Sequence, residues 1–151
     1  MPNLFEPDWD VERDEPPYRW RRARLGRQAG AGDLGASLFE VTPGAHTFPL
    51  HAHLNNEELL VVLSGGFELD GPEGAIRTLA EGDVVACPAG PQGLHRLRNV
   101  SDRPARVLVV STMRAPEVNL FPEERELWVR DYVPGHDAPD GAFDVHAPMP
   151  D

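Results

Sequence analysis

The chain has 151 residues, is 40% apolar, and contains 14 Gly and 16 Pro. That length suits one domain burying roughly 70% of its unfolded surface, and the composition fits a turn-rich globular protein, not a disordered or coiled-coil one. A formal charge of −11 repels a phosphate backbone and argues against a nucleic-acid partner, while no apolar segment reaches the roughly 18–20 residues that span a bilayer.

Residues 1–17 are acidic and Pro-rich with isolated aromatics, Phe5 and Trp9, and read as an N-terminal arm that packs on something else or stays loose. The opening MPNLFEPDWD carries acids where a secretory signal needs a basic start and an apolar run, so a cytoplasmic setting is expected. Residues 18–113 carry the periodic apolar signal and form the expected domain. Its candidate strands are YRWRRARLG, LGASLFEVT, PLHAH, ELLVVLSG, GFELDG, AIRTLA, DVVACPAG, LHRLRNV and ARVLVVSTM. Turn residues cluster between them at TPGA, SGG, DGPEG, AEGD, AGPQG and SDRP. Short strands at such spacing predict an all-β sandwich or barrel. Residues 114–151 read as a C-terminal extension with one helical turn or short helix near PEERELWVR and then a polar tail.

All 14 basic residues are arginine, so a Schiff-base lysine and a P-loop lysine are excluded. Arg19, Arg21, Arg22, Arg24 and Arg27 lie in or just after the first candidate strand, where alternation divides them between two faces. They could bind an anionic ligand or an acidic partner arm. A solvated edge strand guarded by charge is the expected role. Cys87, the one cysteine, excludes an internal disulfide and reads as a buried structural thiol.

The stretch HAHLNNEELLVVLSG carries the chemistry. Residues i and i+2 of a strand share a face, so His51 and His53 present two imidazoles together. A tight connection at Leu54-Asn55-Asn56 would return the next strand beside the first and deliver Glu58, whereas Glu57 has the opposite parity and faces out or caps the turn. In LHRLRN, His95 alternates with Leu97 and Asn99, and Arg96 and Arg98 take the solvent face. His95 then points inward, where an imidazole needs a partner, since leaving it unsatisfied costs roughly 1–3 kcal/mol. His46, His136 and His146 fall in loop-like or tail sequence and read as exposed.

Taken together these residues resemble the two motifs of the cupin family. The first runs Gly44, six residues, His51-Ala-His53, four residues, Glu58, six residues, Gly65; the second runs Gly82, five residues, Pro88-Ala-Gly90, four residues, His95, three residues, Asn99. The intervals Gly44 to His51 and Gly90 to His95 exceed the family pattern by one and two residues. The resemblance covers residues from about 35 to 113 and is closest to small single-domain conserved-barrel cupins of bacteria. It implies a double-stranded β-helix, a cupin jelly-roll barrel, with His51, His53, Glu58 and His95 binding one divalent transition metal ion: Fe, Mn, Ni, Cu or Zn. Imidazole ligation predicts loss of the metal as pH falls through roughly 6.

The function so implied is a metal-dependent enzyme of dioxygenase or oxidoreductase type acting on a small organic molecule, with no catalytic residue identified beyond the ligands. A non-catalytic module that binds or senses a small ligand is the alternative. An isomerase or decarboxylase ranks behind, because no inward arginine cluster is visible to hold a phosphate. A homodimer is expected by the same resemblance, with the N-terminal arm as the element to be exchanged.

Overall fold

Clusters of Gly, Pro and Asp cut the chain into short segments, and antiparallel pairing of those segments builds the whole architecture. The computed structural model describes residues 1–150. One layer is a six-stranded sheet ordered β1 (Val11–Glu15), β2 (Tyr18–Ala23), β3 (Leu34–Val41), β10 (Ala105–Thr112), β5 (Glu58–Ser64) and β8 (Val84–Cys87). A short helix, α1 (Leu25–Ala29), links β2 to β3. The facing layer consists of two smaller sheets. One is ordered β13 (Asp144–Pro148), β12 (Glu126–Arg130), β11 (Glu117–Phe121) and β4 (Ala52–His53); the other β7 (Ile76–Ala80), β6 (Gly66–Asp70) and β9 (Arg96–Asn99). Isolated bridges between His51 and His95 and between His46 and Arg98 sew these two together. The result is all-β and double-layered, a double-stranded β-helix as expected.

The core lies between the layers. Along β5, Leu60 and Val62 are buried while Leu59 is 39% exposed, the period of two that a one-sided strand requires. From the other layer Phe67, Leu69 and Leu97 meet Val107 of β10 in the same cluster. The solvent face of β6 and β9 pairs charges across the ladder: Arg98 with Glu68 at 2.9 Å and Arg96 with Asp70 at 2.6 Å. The expected outward placement of Arg96 and Arg98 is therefore what forms. Between β5 and β6, Gly65 adopts φ 78°, and a Cβ there would sit 2.6 Å from that of Ala105; glycine alone fits this turn.

Three local expectations are corrected. PEERELWVR forms no helix: β12 is a strand hydrogen-bonded by β11 on one side and β13 on the other, and that ladder outweighs the helical preference of its Glu and Arg residues. β2 is no edge, because β1 covers it in register, placing Asp14 opposite Arg19 at 3.2 Å and Glu12 opposite Arg21. Trp9 lies under the guanidinium of Arg21 at 4.4 Å, so this chain's own acidic segment meets its arginines. His46 is half-buried, its backbone N–H donating to the Pro17 carbonyl at 2.9 Å; His136 and His146 are exposed.

Replacing Phe67, which is fully buried, with Ala should cost about 3–5 kcal/mol in chemical denaturation. Leu59→Ala on the opposite face of β5 should change stability by no more than about 0.5 kcal/mol. Similar losses at both positions would contradict the assignment of faces.

Candidate metal centre

Two strand segments bring the histidines together. His51 donates its backbone N–H to the His95 carbonyl at 3.1 Å and accepts the His95 N–H at 2.8 Å, so the two residues sit directly opposite at the seam of the facing layer. Their ring centroids are 4.4 Å apart, and those of His51 and His53 are 5.0 Å apart. The two extra residues before His95 wind into a single 3₁₀ turn, Pro91–Gly93. Gly93 packs so tightly there that a Cβ would lie 1.9 Å from the Pro88 carbonyl oxygen. The insertion is thus absorbed without moving His95 out of register.

Glu58 arrives by a route other than the one expected. Leu54-Asn55-Asn56 makes no hairpin: β4 pairs with β11, while β5 pairs with β10 and β8. The segment crosses from one layer to the other, and Glu58 reaches the rings across the interior. Asn56 holds that crossing. It is buried, its Nδ2 donates to the Arg114 carbonyl at 3.0 Å and to Glu117 Oε2, and its Oδ1 accepts from the Arg114 N–H at 2.7 Å. Glu57 is exposed, its N–H donating to Thr112 Oγ1.

Glu58 Oε2 lies 3.0 Å from His95 Nε2 and 3.5 Å from His53 Nε2. One donor atom from each of His51, His53 and Glu58 falls within 4.8 Å of the others. Nδ1 of His51 donates to the Pro49 carbonyl at 2.9 Å and Nδ1 of His95 to the Gly93 carbonyl at 2.8 Å. A carbonyl can only accept, so in the neutral rings each proton sits on Nδ1 and each Nε2 lone pair is free. His53 Nε2 is buried and has no hydrogen-bond partner. A buried ring nitrogen without a hydrogen-bond partner, beside a carboxylate and the Nε2 atoms of two rings whose Nδ1 protons are held by carbonyls, is the donor chemistry of a first-row divalent cation. His51, His53 and Glu58 fit a metal, and His95, with Nε2 3.0 Å from Glu58 Oε2, stands beside them.

Residues beyond 113 support this cluster. Asn119 of β11 stands opposite His53, its Nδ2 2.8 Å from His53 Nδ1, and Arg130 Nη2 donates to Asn119 Oδ1 at 2.5 Å. Glu117, fully buried, has Oε2 3.6 Å from the same Nδ1. An amide nitrogen can only donate, so Asn119 Nδ2 donates to His53 Nδ1 and the neutral ring carries its proton on Nε2, facing Glu58. Offering Nε2 to a cation requires that proton to move to Nδ1, beside the Glu117 carboxylate. Asn99 of the second motif plays a structural part: its Nδ2 donates to the carbonyls of Val41 and Arg103 at 2.9 and 2.8 Å. Neither Glu117, Asn119 nor Arg130 is visible as functional from sequence, because an alternating polar strand such as EVNL looks solvated until its neighbours are known.

The cluster lines a cavity of about 390 Å³ walled by Phe39, Phe48, Leu60, Leu97 and Val109. Arg22, Arg24, Arg27 and Arg130 also line it. The expectation of no inward arginine cluster is corrected: β2 alternates so that Trp20 and Arg22 face the interior while Arg19 and Arg21 face out, and Arg130 comes from a strand read as a helical turn. Among the described residues Glu58 is the one carboxylate in the cavity wall.

Burial opposes charge on His53 and His95, but it is outweighed. Glu58 and then Glu117 raise His53 to about 9, and hydrogen bonds to Cys87 and Glu58 raise His95 to about 10. Burial, reinforced by the neighbouring His95 and His53 charges, lowers His51 to about 3. Burial of Glu58 favours its neutral form, yet the charge on His53, 3.5 Å away, and the hydrogen bond and charge of His95 hold it well below the usual carboxylate range. The same carboxylate that would share a cation with these rings shares protons with them in its absence.

A family model described as a cupin domain matches residues 37–111. A germin-like protein of Arabidopsis thaliana, subfamily 3 member 3, is 32% identical over 99 residues, covering 62% of this chain and 46% of that protein, so the chain spans about half the length of this curated relative. Among solved structures, a sugar phosphate isomerase from a cupin superfamily, from Silicibacter pomeroyi, superposes with a TM-score of 0.77 at 24% identity over 96% of this chain and 91% of that one. The polyketide cyclase RemF from Streptomyces resistomycificus superposes with a TM-score of 0.61 at 28% identity over 76% and 81%. Among the described residues no helix is long and apolar enough to cross a membrane.

In the metal-free protein, ring resonances of His53 and His95 should titrate near pH 9 and 10 by NMR, with His51 remaining neutral down to about pH 3. Metal needs neutral rings, so affinity for a divalent ion should still be rising between pH 7 and 9, and not level off just above 6. Midpoints near 6.5 for all three rings would contradict the electrostatics described.

Proposed function

The chain belongs to the cupin superfamily, and from that premise we propose that it is a metal-dependent enzyme acting on a small organic molecule, of dioxygenase or other oxidoreductase type. The carrying observation is the cluster of His51, His53 and Glu58 in the wall of one cavity, with His95 Nε2 3.0 Å from Glu58 and His53 Nε2 without a hydrogen-bond partner. These four residues would hold one divalent transition-metal ion. When bound, such an ion supplies a Lewis acid or redox centre with coordination positions left open by four protein ligands.

The chain's own residues do the rest. The carbonyls of Pro49 and Gly93 lock His51 and His95 in the tautomer that offers Nε2. Asn119 and Glu117 set the far side of His53. Phe48, Leu60, Leu97 and Val109 exclude water from the bound molecule, which strengthens every charge interaction inside. With Glu57 exposed, a proton transfer in the cavity falls to the ligand set or to Tyr132 and His136, which also line it. One observation favours a second reading, metal-dependent isomerisation of an anionic compound: Arg22 and Arg130 stand in the wall, supplying the fixed cations that a bound phosphate or carboxylate requires. A homodimer belongs to the same proposal, with the apolar side chain of Phe5, 81% exposed, available for a second copy to cover.

Oxygen uptake by the Fe(II)-loaded protein, offered catechols, diketones and flavonoids, should exceed that of the His51→Ala, His53→Ala double variant by at least about tenfold for one class of compound; losing a general ligand set removes several kcal/mol of transition-state stabilisation, and each 1.4 kcal/mol is tenfold. Thermal shifts with these compounds and no turnover of any would replace the enzyme with a binding module.

A further inference from the structure

Two arginines in the cavity carry charges that the rest of the fold leaves unneutralised, and we propose that Arg22 and Arg130 form an anion-binding subsite, so that the molecule taken up is a small organic oxyanion, a carboxylate or phosphate ester, with an apolar body. This deepens the metal-site reading and rests on it for where the molecule's other end lies.

Arg22 leaves β2 on its inward face. Its Nε and Nη2 both donate to one neutral acceptor, Ser37 Oγ of β3, at 3.0 and 2.8 Å. Arg130 leaves β12 in the opposite layer and is 5% exposed. Its Nη2 donates to Asn119 Oδ1, its guanidinium lies 3.8 Å from the Trp128 ring centroid, and its Nε is buried with no partner. Among the described residues neither arginine forms an ion pair, whereas the other two cavity arginines do: Arg24 with Asp10 at 3.2 Å and Arg27 with Asp137 at 2.9 Å. Burial holds Arg22 and Arg130 below the ordinary arginine range, the direction expected of cations without adequate counter-charge.

A guanidinium taken out of water and left unpaired is costly, and it persists where a ligand completes it. The charge balance points the same way. A divalent ion at the tetrad cancels the two buried carboxylates, Glu58 and Glu117, and leaves the two guanidinium charges over. A carboxylate offsets one of the two and a phosphate ester dianion offsets both. The planar donor fork of arginine matches the oxygens of a carboxylate or phosphate, and one arginine from each layer lets the cavity grip the group from both sides. Phe39, Leu97, Met113 and Trp128, also in the wall, accommodate the apolar remainder.

Calorimetric titration of the zinc-loaded full chain with benzoate, phenyl phosphate and the neutral benzamide tests this, with zinc content measured on every sample. Benzoate or phenyl phosphate should bind at least about tenfold tighter than benzamide, and the tighter of the two identifies the oxyanion. Arg22→Gln should lose most of that preference with zinc content unchanged, and Arg22→Lys, which keeps the charge but not the fork, should fall between. Arg130→Gln should do the same if it folds; the two Arg22 variants carry the test if it does not. Equal binding of benzamide and the anions, or a preference that survives Arg22→Gln, would overturn the subsite. Arg22-dependent anion binding by a protein that takes up no zinc would keep the subsite and remove the metal reading instead.

Discussion

The structure of the site depends on one backbone pair. The reciprocal hydrogen bonds between His51 and His95, at 3.1 and 2.8 Å, join the two small sheets of the facing layer and fix the separation of two imidazoles from distant parts of the chain. Each such bond is worth only about 1 kcal/mol net, so the pair is held by what surrounds it. Asn99 ties the end of β9 to Val41 and Arg103, the Gly90 N–H donates to the His53 carbonyl at 2.7 Å, and Leu97 packs into the core beside Phe67 and Leu69. Glu58 then approaches from the opposite layer. The centre therefore exists only when both layers are closed, which couples metal affinity to folding.

Two groups of charge stand in the cavity wall. At one, Glu58 sits among rings that burial alone would keep neutral, and it draws protons or a cation onto them. At the other, Arg22 is half-buried and Arg130 buried, beside neutral or aromatic groups. Arg130 links the two groups, because its bond to Asn119 orients the amide that faces His53. A change in what Arg130 binds is thus one hydrogen-bond step from the amide that touches His53 of the candidate site.

Much of this was legible in the sequence, for particular reasons. The period of two placed His51 with His53 and His95 with Leu97 and Asn99, and the resemblance to the cupin motifs joined them into one set. Glu58 was correctly separated from Glu57 by parity, although the path that delivers it is a crossing between layers and not a hairpin. What was not legible depends on tertiary neighbours. Glu117 and Asn119 alternate as a solvated strand would, and only pairing with β4 turns their polar face inward. Arg130 lies in a stretch whose residues favour a helix, and Arg22 counted as a surface charge until β1 was seen to cover the edge.

The central claim is that three imidazoles and one carboxylate hold a single ion at the base of this cavity. Anomalous scattering from crystals of the protein loaded with one metal, collected on both sides of that metal's absorption edge, tests it most directly. The account predicts one peak per chain, bonded to His51, His53, Glu58 and His95 at roughly 2.0–2.2 Å. A peak elsewhere, or none at full loading of a correctly folded chain, would contradict it.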